Sequence, residues 1–268
     1  MASSKVSNLK MLSCEGDDKN DSTEDRESDV GIPLHGLNLG GRKKLLVIDL
    51  NGLLVHTFFT FENVKIPANR RPDGVLGTKL VFKRPFCDEF LKFCFETFEV
   101  GIWSTATQRN VDGVITFIFG DFKPKLQFTW NQTHCTSTLF KTLEKKDKPI
   151  FLKELKKLWD KECHSLPWPK GQYSSSNTLL IDDSPYKALF NSPNTAIFPP
   201  KFTVDQIEDN SLGPKGDLRA FLKGLAAAVD VQTYVKAHPY GQDAITANHP
   251  DWSYYSKIVG HFPHRLSH

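Results

Sequence analysis

The chain has little from which to build a metal clamp, a disulfide frame or a membrane anchor. Its five cysteines (Cys14, Cys87, Cys94, Cys135 and Cys163) are odd in number, widely spaced and without a Cys-x-x-Cys pair. That pattern excludes zinc-finger spacing and a disulfide scaffold, and reads as reduced, packing thiols. No apolar run reaches the roughly 18 residues of a membrane-spanning helix, so no membrane span is expected. The N-terminus has neither the basic start nor the apolar core of a secretory signal, and the expected address is nuclear or cytoplasmic. The lysine-rich stretch 141–157 lacks the interleaved arginines and exposed aromatics of a nucleic-acid surface, so no direct nucleic-acid partner is expected. No internal repeat is evident.

What is present is a chain of 268 residues, 39% hydrophobic, enough for one sizeable core. Residues 1–31 carry eight acidic and four basic side chains, so the tail holds −4 of a net charge of +3 and the remainder holds +7. A basic body with an acidic tail suits a phosphorylated partner or is simply a soluble surface. The tail has too few apolar residues to offset the cost of ordering its backbone and is expected to be disordered. The expected division is a tail at 1–36, a main domain at 37–235 and a C-terminal extension at 236–268.

Three apolar runs end abruptly in polar residues, as buried parallel strands do: Leu45-Leu46-Val47-Ile48-Asp49, Val100-Gly101-Ile102-Trp103-Ser104-Thr105 and Leu179-Leu180-Ile181-Asp182-Asp183. Between them, apolar residues recur at three- and four-residue steps over 87–98 and 150–160, predicting helices. The alternation predicts an α/β fold, a parallel sheet flanked by helices. Residues 56–84 contain short aromatic and alternating runs around Arg71-Pro72-Asp73-Gly74 and predict a small β insertion after the first strand. Residues 161–177 read as a loop. Because ligands bind at the carboxyl ends of the strands of such sheets, Asp49, Thr105, Asp182 and Asp183 should converge.

Those residue types suit phosphoryl transfer to a carboxylate. Asp49 offers the nucleophilic oxygen, Asp182 and Asp183 offer hard ligands for Mg2+, Thr105 offers a hydroxyl and amide, and Lys153 offers a positive charge. Each has a bland rival: Lys153 belongs to a lysine-rich helix face, and either aspartate of the pair could cap the following turn.

Leu-Val-Ile-Asp49-Leu-Asn51-Gly-Leu-Leu-Val-His56-Thr, Lys83-Arg84-Pro85-Phe86, Ile102-Trp103-Ser104-Thr105-Ala106-Thr107, Phe151-Leu152-Lys153-Glu154-Leu155 and Ile181-Asp182-Asp183-Ser184-Pro185 follow one another in that order from about 42 to about 231. Their resemblance is to the haloacid dehalogenase superfamily, in the branch of the small phosphatases of the RNA polymerase II C-terminal domain. It implies a Rossmannoid fold and a magnesium-dependent phosphomonoesterase acting on phosphoserine or phosphothreonine of a protein or peptide partner. It implies that Asp49 forms an aspartyl-phosphate and that Thr105, Ala106 and Lys153 bind phosphate. Mg2+ would be held by Asp49, the Asn51 carbonyl and Asp183, with Asp182 close by.

One residue departs from the pattern. Hydrolases of the superfamily carry a second aspartate as general acid where this chain has Asn51, and an amide cannot exchange a proton at neutral pH. Turnover should be weakened. The alternative is a degenerate phosphatase-like binding module, for example a presequence receptor of the mitochondrial import translocase, although such a relative also loses the nucleophile that this chain keeps.

Two other features bear on function. Phe58, Phe59 and Phe61 either wall the site or fill the insertion's own core. His261-x-x-His264, near His249 and His268, reads as a solvated tail rather than a metal site.

Overall fold

The computed structural model describes residues 42–263. The expected tail at 1–36 and the histidines His264 and His268 lie outside the described residues. In chain order the strands are β1 (Leu45–Ile48), β2 (Val55–Phe59), β3 (Gly74–Leu76), β4 (Lys79–Lys83), β5 (Glu99–Trp103), β6 (Thr129–Trp130), β7 (Thr136–Lys141), β8 (Pro149–Leu152), β9 (Thr178–Ile181) and β10 (Ala196–Ile197). The helices are α1 (Cys87–Thr97), α2 (Gln108–Phe119), α3 (Lys156–Trp159), α4 (Asp217–Ala227), α5 (Val231–Ala237) and α6 (Trp252–His261).

The main sheet runs in the order β10-β9-β1-β5-β6 with every neighbouring pair parallel. Its central strand explains why the first apolar run has no polar alternation: both faces are covered. Leu46 and Ile48 join a core with residues of α1, α2, α4 and α5, while Leu45 and Val47 join Trp103, Leu155, Leu158 and Trp168 on the other face. All four β1 side chains are fully buried. Burial of each contributes about 1.5–3 kcal/mol, which fixes the strand and hence the position of Asp49 at its end.

α1 follows from its sequence. Cys87, Phe90, Leu91 and Cys94 fall on one buried face at helical spacing, and Asp88 and Glu89 in the first turn complement the positive end of the helix dipole. Before it, Arg84 makes a bidentate pair with Asp209, both bonds at 2.8 Å, and donates to the Leu53 carbonyl at 3.3 Å. Arg84 thereby ties the turn after β1 to a loop 125 residues beyond itself in the chain.

β2, β3 and β4 form an antiparallel sheet in the order β2-β4-β3. Of the three aromatics, Phe58 takes the core role. Phe58 is buried against Phe82 and Val204, whereas Phe61 is 78% exposed and stacks on Phe59 with ring centroids 4.9 Å apart.

The helix expected over 150–160 is not formed as such. β8 occupies its first part, paired antiparallel with β7, and α3 is a single turn beginning only at Lys156. Pro149 and the β-favouring Ile150-Phe151 suit a strand, with Ile150 and Leu152 fully buried and Phe151 between them less so. A strand passing straight into a helical turn reproduced the three-residue apolar step of Leu152, Leu155 and Leu158. Consequently Lys153 sits at a strand end, not on a solvated helix face. The far side of β8 packs on α6 through Ile150, Leu152, Tyr186, Tyr255 and Ile258.

Candidate active site

Parallel pairing places the strand ends side by side. Ile48 of β1 is in register with Ile181 of β9 and Ile102 of β5, so the residues that follow each emerge on the same edge of the sheet. Asp49 donates its amide to the Ile181 carbonyl at 3.0 Å, and Asp182 donates to the Ile197 carbonyl at 3.2 Å. Both aspartates are thus held by the sheet ladder itself. Thr105 lies half-buried beyond the end of β5, and the Ala106 amide donates to the Ser104 hydroxyl at 3.2 Å.

Asp49, Asp182 and Asp183 form a buried carboxylate trio whose oxygens lie within 4.8 Å of one another. Two buried lysines engage it. Lys153 donates to Asp49 Oδ1 at 2.9 Å and to Asp182 Oδ2 at 2.5 Å, with no side-chain exposure. Lys187 donates to Asp49 Oδ2 at 3.1 Å, to Asp182 Oδ1 at 2.7 Å and to Asp183 Oδ1 at 3.2 Å. Asp49 and Asp182 therefore present opposite oxygens to the two ammonium groups, while Asp183 is engaged by Lys187 and by the Ser184 hydroxyl.

The electrostatics follow from burial. Desolvation, with Asp49 nearby, pushes the Asp182 carboxyl up to about 6, against the pull of Lys153 and Lys187. Burial also acts to raise Asp183, but Lys187 and the Ser184 hydroxyl outweigh it and bring it down to about 2. For Lys187, burial acts to lower the ammonium, and the three aspartates more than reverse this, holding it well above the ordinary lysine value. The trio's hard, anionic oxygens are in kind the donors that magnesium takes. An ammonium already reaches one oxygen of each.

Supporting residues fix these side chains. The Lys153 amide donates to the Lys187 carbonyl at 2.7 Å, joining the two lysine-bearing segments through their backbones. Asn191 bridges around them, donating to the Lys153 carbonyl and accepting from the Leu155 amide, both at 2.8 Å. Gln242 donates to the Asp183 carbonyl at 2.9 Å and to the Pro199 carbonyl at 3.1 Å. Gly52 has φ +89, and a Cβ there would stand 2.2 Å from Asp183 Oδ2, so the turn after β1 passes the trio only as glycine.

Asn51 is exposed, and its Oδ1 accepts from the Thr57 amide at 2.7 Å and the Thr57 hydroxyl at 3.0 Å. Sequence reasoning missed Lys187, Asn191 and Gln242. For Lys187 a signal existed: it lies four residues after Asp183 on the short turn that Pro185 begins, Pro185–Ala188, which folds it back over the strand end.

Two cavities differ in their relation to the trio. One of about 230 Å³ borders Asp183 and is lined by Lys145, Lys148, Lys201, Tyr186 and Gln242. A larger one, about 530 Å³, is lined by Arg70, Arg84, Phe86 and Phe202 and contains none of the trio.

The chain is similar to several known proteins. An FCP1 homology domain-containing protein of Schizosaccharomyces pombe is 25% identical over 204 residues, covering 74% of this chain and 78% of that protein. A human CTD small phosphatase-like protein is 27% identical over 192 residues, covering 70% of this chain and 58% of its own length. Nuclear envelope morphology protein 1 of Saccharomyces cerevisiae is 25% identical over 225 residues, covering 81% and 46% respectively. The chain thus spans only about half of the longer relatives. A solved structure of Fcp1, an essential RNA polymerase II CTD phosphatase, overlays 82% of this chain and 62% of that one at 14% identity, with a TM-score of 0.40. The family model described as NLI interacting factor-like phosphatase matches residues 44–232, and the chain belongs to that family of phosphatase-like domains.

Proposed function

We propose that this domain is a phosphomonoesterase of low turnover that takes phosphoserine or phosphothreonine from a protein segment onto Asp49. The observation that carries this is the buried pair of Asp49 at the end of the central strand and Lys153 2.9 Å from its Oδ1. A carboxylate so placed can attack phosphorus, and the ammonium stabilises the charge that develops on the phosphoryl oxygens. Thr105 and the Ala106 amide are the further donors for those oxygens. When bound, magnesium would supply Lewis-acid stabilisation there, held by Asp49, Asp183 and the Asn51 carbonyl with Asp182 alongside.

Asn51 cannot give the leaving oxygen a proton or take one from water, so a contribution of about 10²–10⁴ in rate is absent. The cavity beside Asp183, where Lys145, Lys148 and Lys201 outnumber Glu144 and Asp183, supports an acidic or phosphorylated segment as the bound partner. The names of the relatives support a nuclear site of action, with the cytoplasm as the other address. Among the described residues no helix is long and apolar enough to cross a membrane.

A binding module built on the same frame is the second reading, favoured by Asn51 and by the two lysines that engage all three carboxylates. An activated aryl phosphate separates the two, since its leaving group scarcely needs a proton. With magnesium present, wild type should hydrolyse it slowly and Asp49→Asn should fall to background. Equal background rates for both would leave the binding module.

A further inference from the structure

We infer that Lys187 is the resident cation of this site: its ammonium stands where a divalent ion would, so magnesium enters only as Lys187 leaves. The inference rests on reading the trio as the cation position of the proposed phosphoryl-transfer site, and it concerns how that site is regulated.

Four observations carry it. First, a lysine ammonium has three N–H donors and no acceptor, and Lys187 places one oxygen of each carboxylate at hydrogen-bond distance, 3.1, 2.7 and 3.2 Å for Asp49, Asp182 and Asp183. An ion coordinated by this trio would draw on the same converging oxygens. Second, Lys187 is 4% exposed, so the contact is not that of a surface side chain resting on a rim. Third, Lys153 cannot be doing the same thing. It holds the opposite oxygens of Asp49 and Asp182, and its ion pairs do not include Asp183. Fourth, the main chain that bears Lys187 is fixed: its amide donates to the Ser184 carbonyl at 3.1 Å, and its carbonyl accepts from Lys153 at 2.7 Å.

Magnesium requires near-octahedral oxygen ligands at about 2.0–2.1 Å and keeps several waters. An ammonium among the same three oxygens leaves no room for that shell, and two cations at such separation repel in a site shielded from solvent. Displacement also matters for the nucleophile. Asp49 Oδ2 is held by Lys187 and Oδ1 by Lys153, so withdrawal of Lys187 frees an oxygen of Asp49 as it opens the trio. The resting site is therefore closed by its own side chain, and metal entry and release of the nucleophile are one event.

The test is calorimetric titration of the full chain with magnesium chloride alone, for wild type, Lys187→Met and Lys187→Arg. Lys187→Met keeps most of the stem volume and removes the charge. It should bind magnesium at least about tenfold more tightly than wild type, a change of the size that partners of metal ligands commonly produce. Lys187→Arg should stay as weak as wild type. Equal affinity in wild type and Lys187→Met would overturn the inference and leave Lys187 a structural ion-pair partner.

Should Lys187→Met not fold, Lys187→Gln takes its place in the same titration, since it also removes the ammonium. The same gain in magnesium affinity is expected of it, and equal affinity with wild type overturns the inference. The two readings fail separately. Gain of magnesium binding without turnover of any phosphate ester would sink the phosphatase reading alone, and turnover with unchanged magnesium binding would sink this one alone.

Discussion

Asn51→Asp should raise turnover of a phosphoserine peptide by up to about 10²–10⁴. Thr57 makes this expectation specific. Its amide and hydroxyl both donate to Asn51 Oδ1, so an aspartate can keep both bonds through the same oxygen. The second carboxyl oxygen would then stand where the amide nitrogen stands now, on an exposed side chain in the turn after Asp49. A carboxyl there can protonate the leaving oxygen and later accept a proton from water. The exchange is nearly isosteric, so stability should hardly change. The gain should be small for an aryl phosphate, whose departure needs no proton. Steady-state assays with both esters read this directly, and no gain with the serine ester would mean that Asn51 is not what limits the site.

Lys153→Met should be strongly destabilising. Lys153 is fully buried and its Nζ holds Asp49 and Asp182. Removing one partner of a buried ion pair leaves an uncompensated charge and costs about 3–5 kcal/mol. For a domain of this size that corresponds to a fall of roughly 6–20 °C in melting temperature. Lys156 on the same segment is exposed, and Lys156→Met should stay within about 0.5 kcal/mol of wild type. Comparable small losses for both would show that the trio does not depend on Lys153.

The contrast between these two lysines also marks what sequence can and cannot disclose. Both belong to one lysine-rich run, and nothing local separates the buried one from the solvated ones. Leu45 to Ile48, by contrast, announces a doubly covered strand because its apolar run has no polar break, and the aspartate after it is placed by that fact alone. α1 was legible for a related reason, its apolar residues repeating at helical steps with acids in the first turn. β8 was not, since a strand that runs straight into one helical turn gives the same spacing as a helix.

Within the site, the residues that end strands could be read, and those that reach them from elsewhere could not. Lys187 enters by way of a turn begun by Pro185, and Gln242 braces Asp183 across 59 residues of chain. Asn191 spans 38 residues to Lys153. Such contacts are set by tertiary packing, and a single sequence carries no periodic trace of them.

The account stands most directly on Asp49 as the phosphoryl acceptor. Wild-type protein mixed with an activated aryl phosphate and magnesium, quenched rapidly in acid and digested, should yield a peptide containing Asp49 that carries one phosphoryl group. The signal should persist because Asn51 cannot activate the water that clears it, and it should be absent from Asp49→Asn. An unmodified Asp49 peptide at every quench time, while hydrolysis proceeds, would contradict the account.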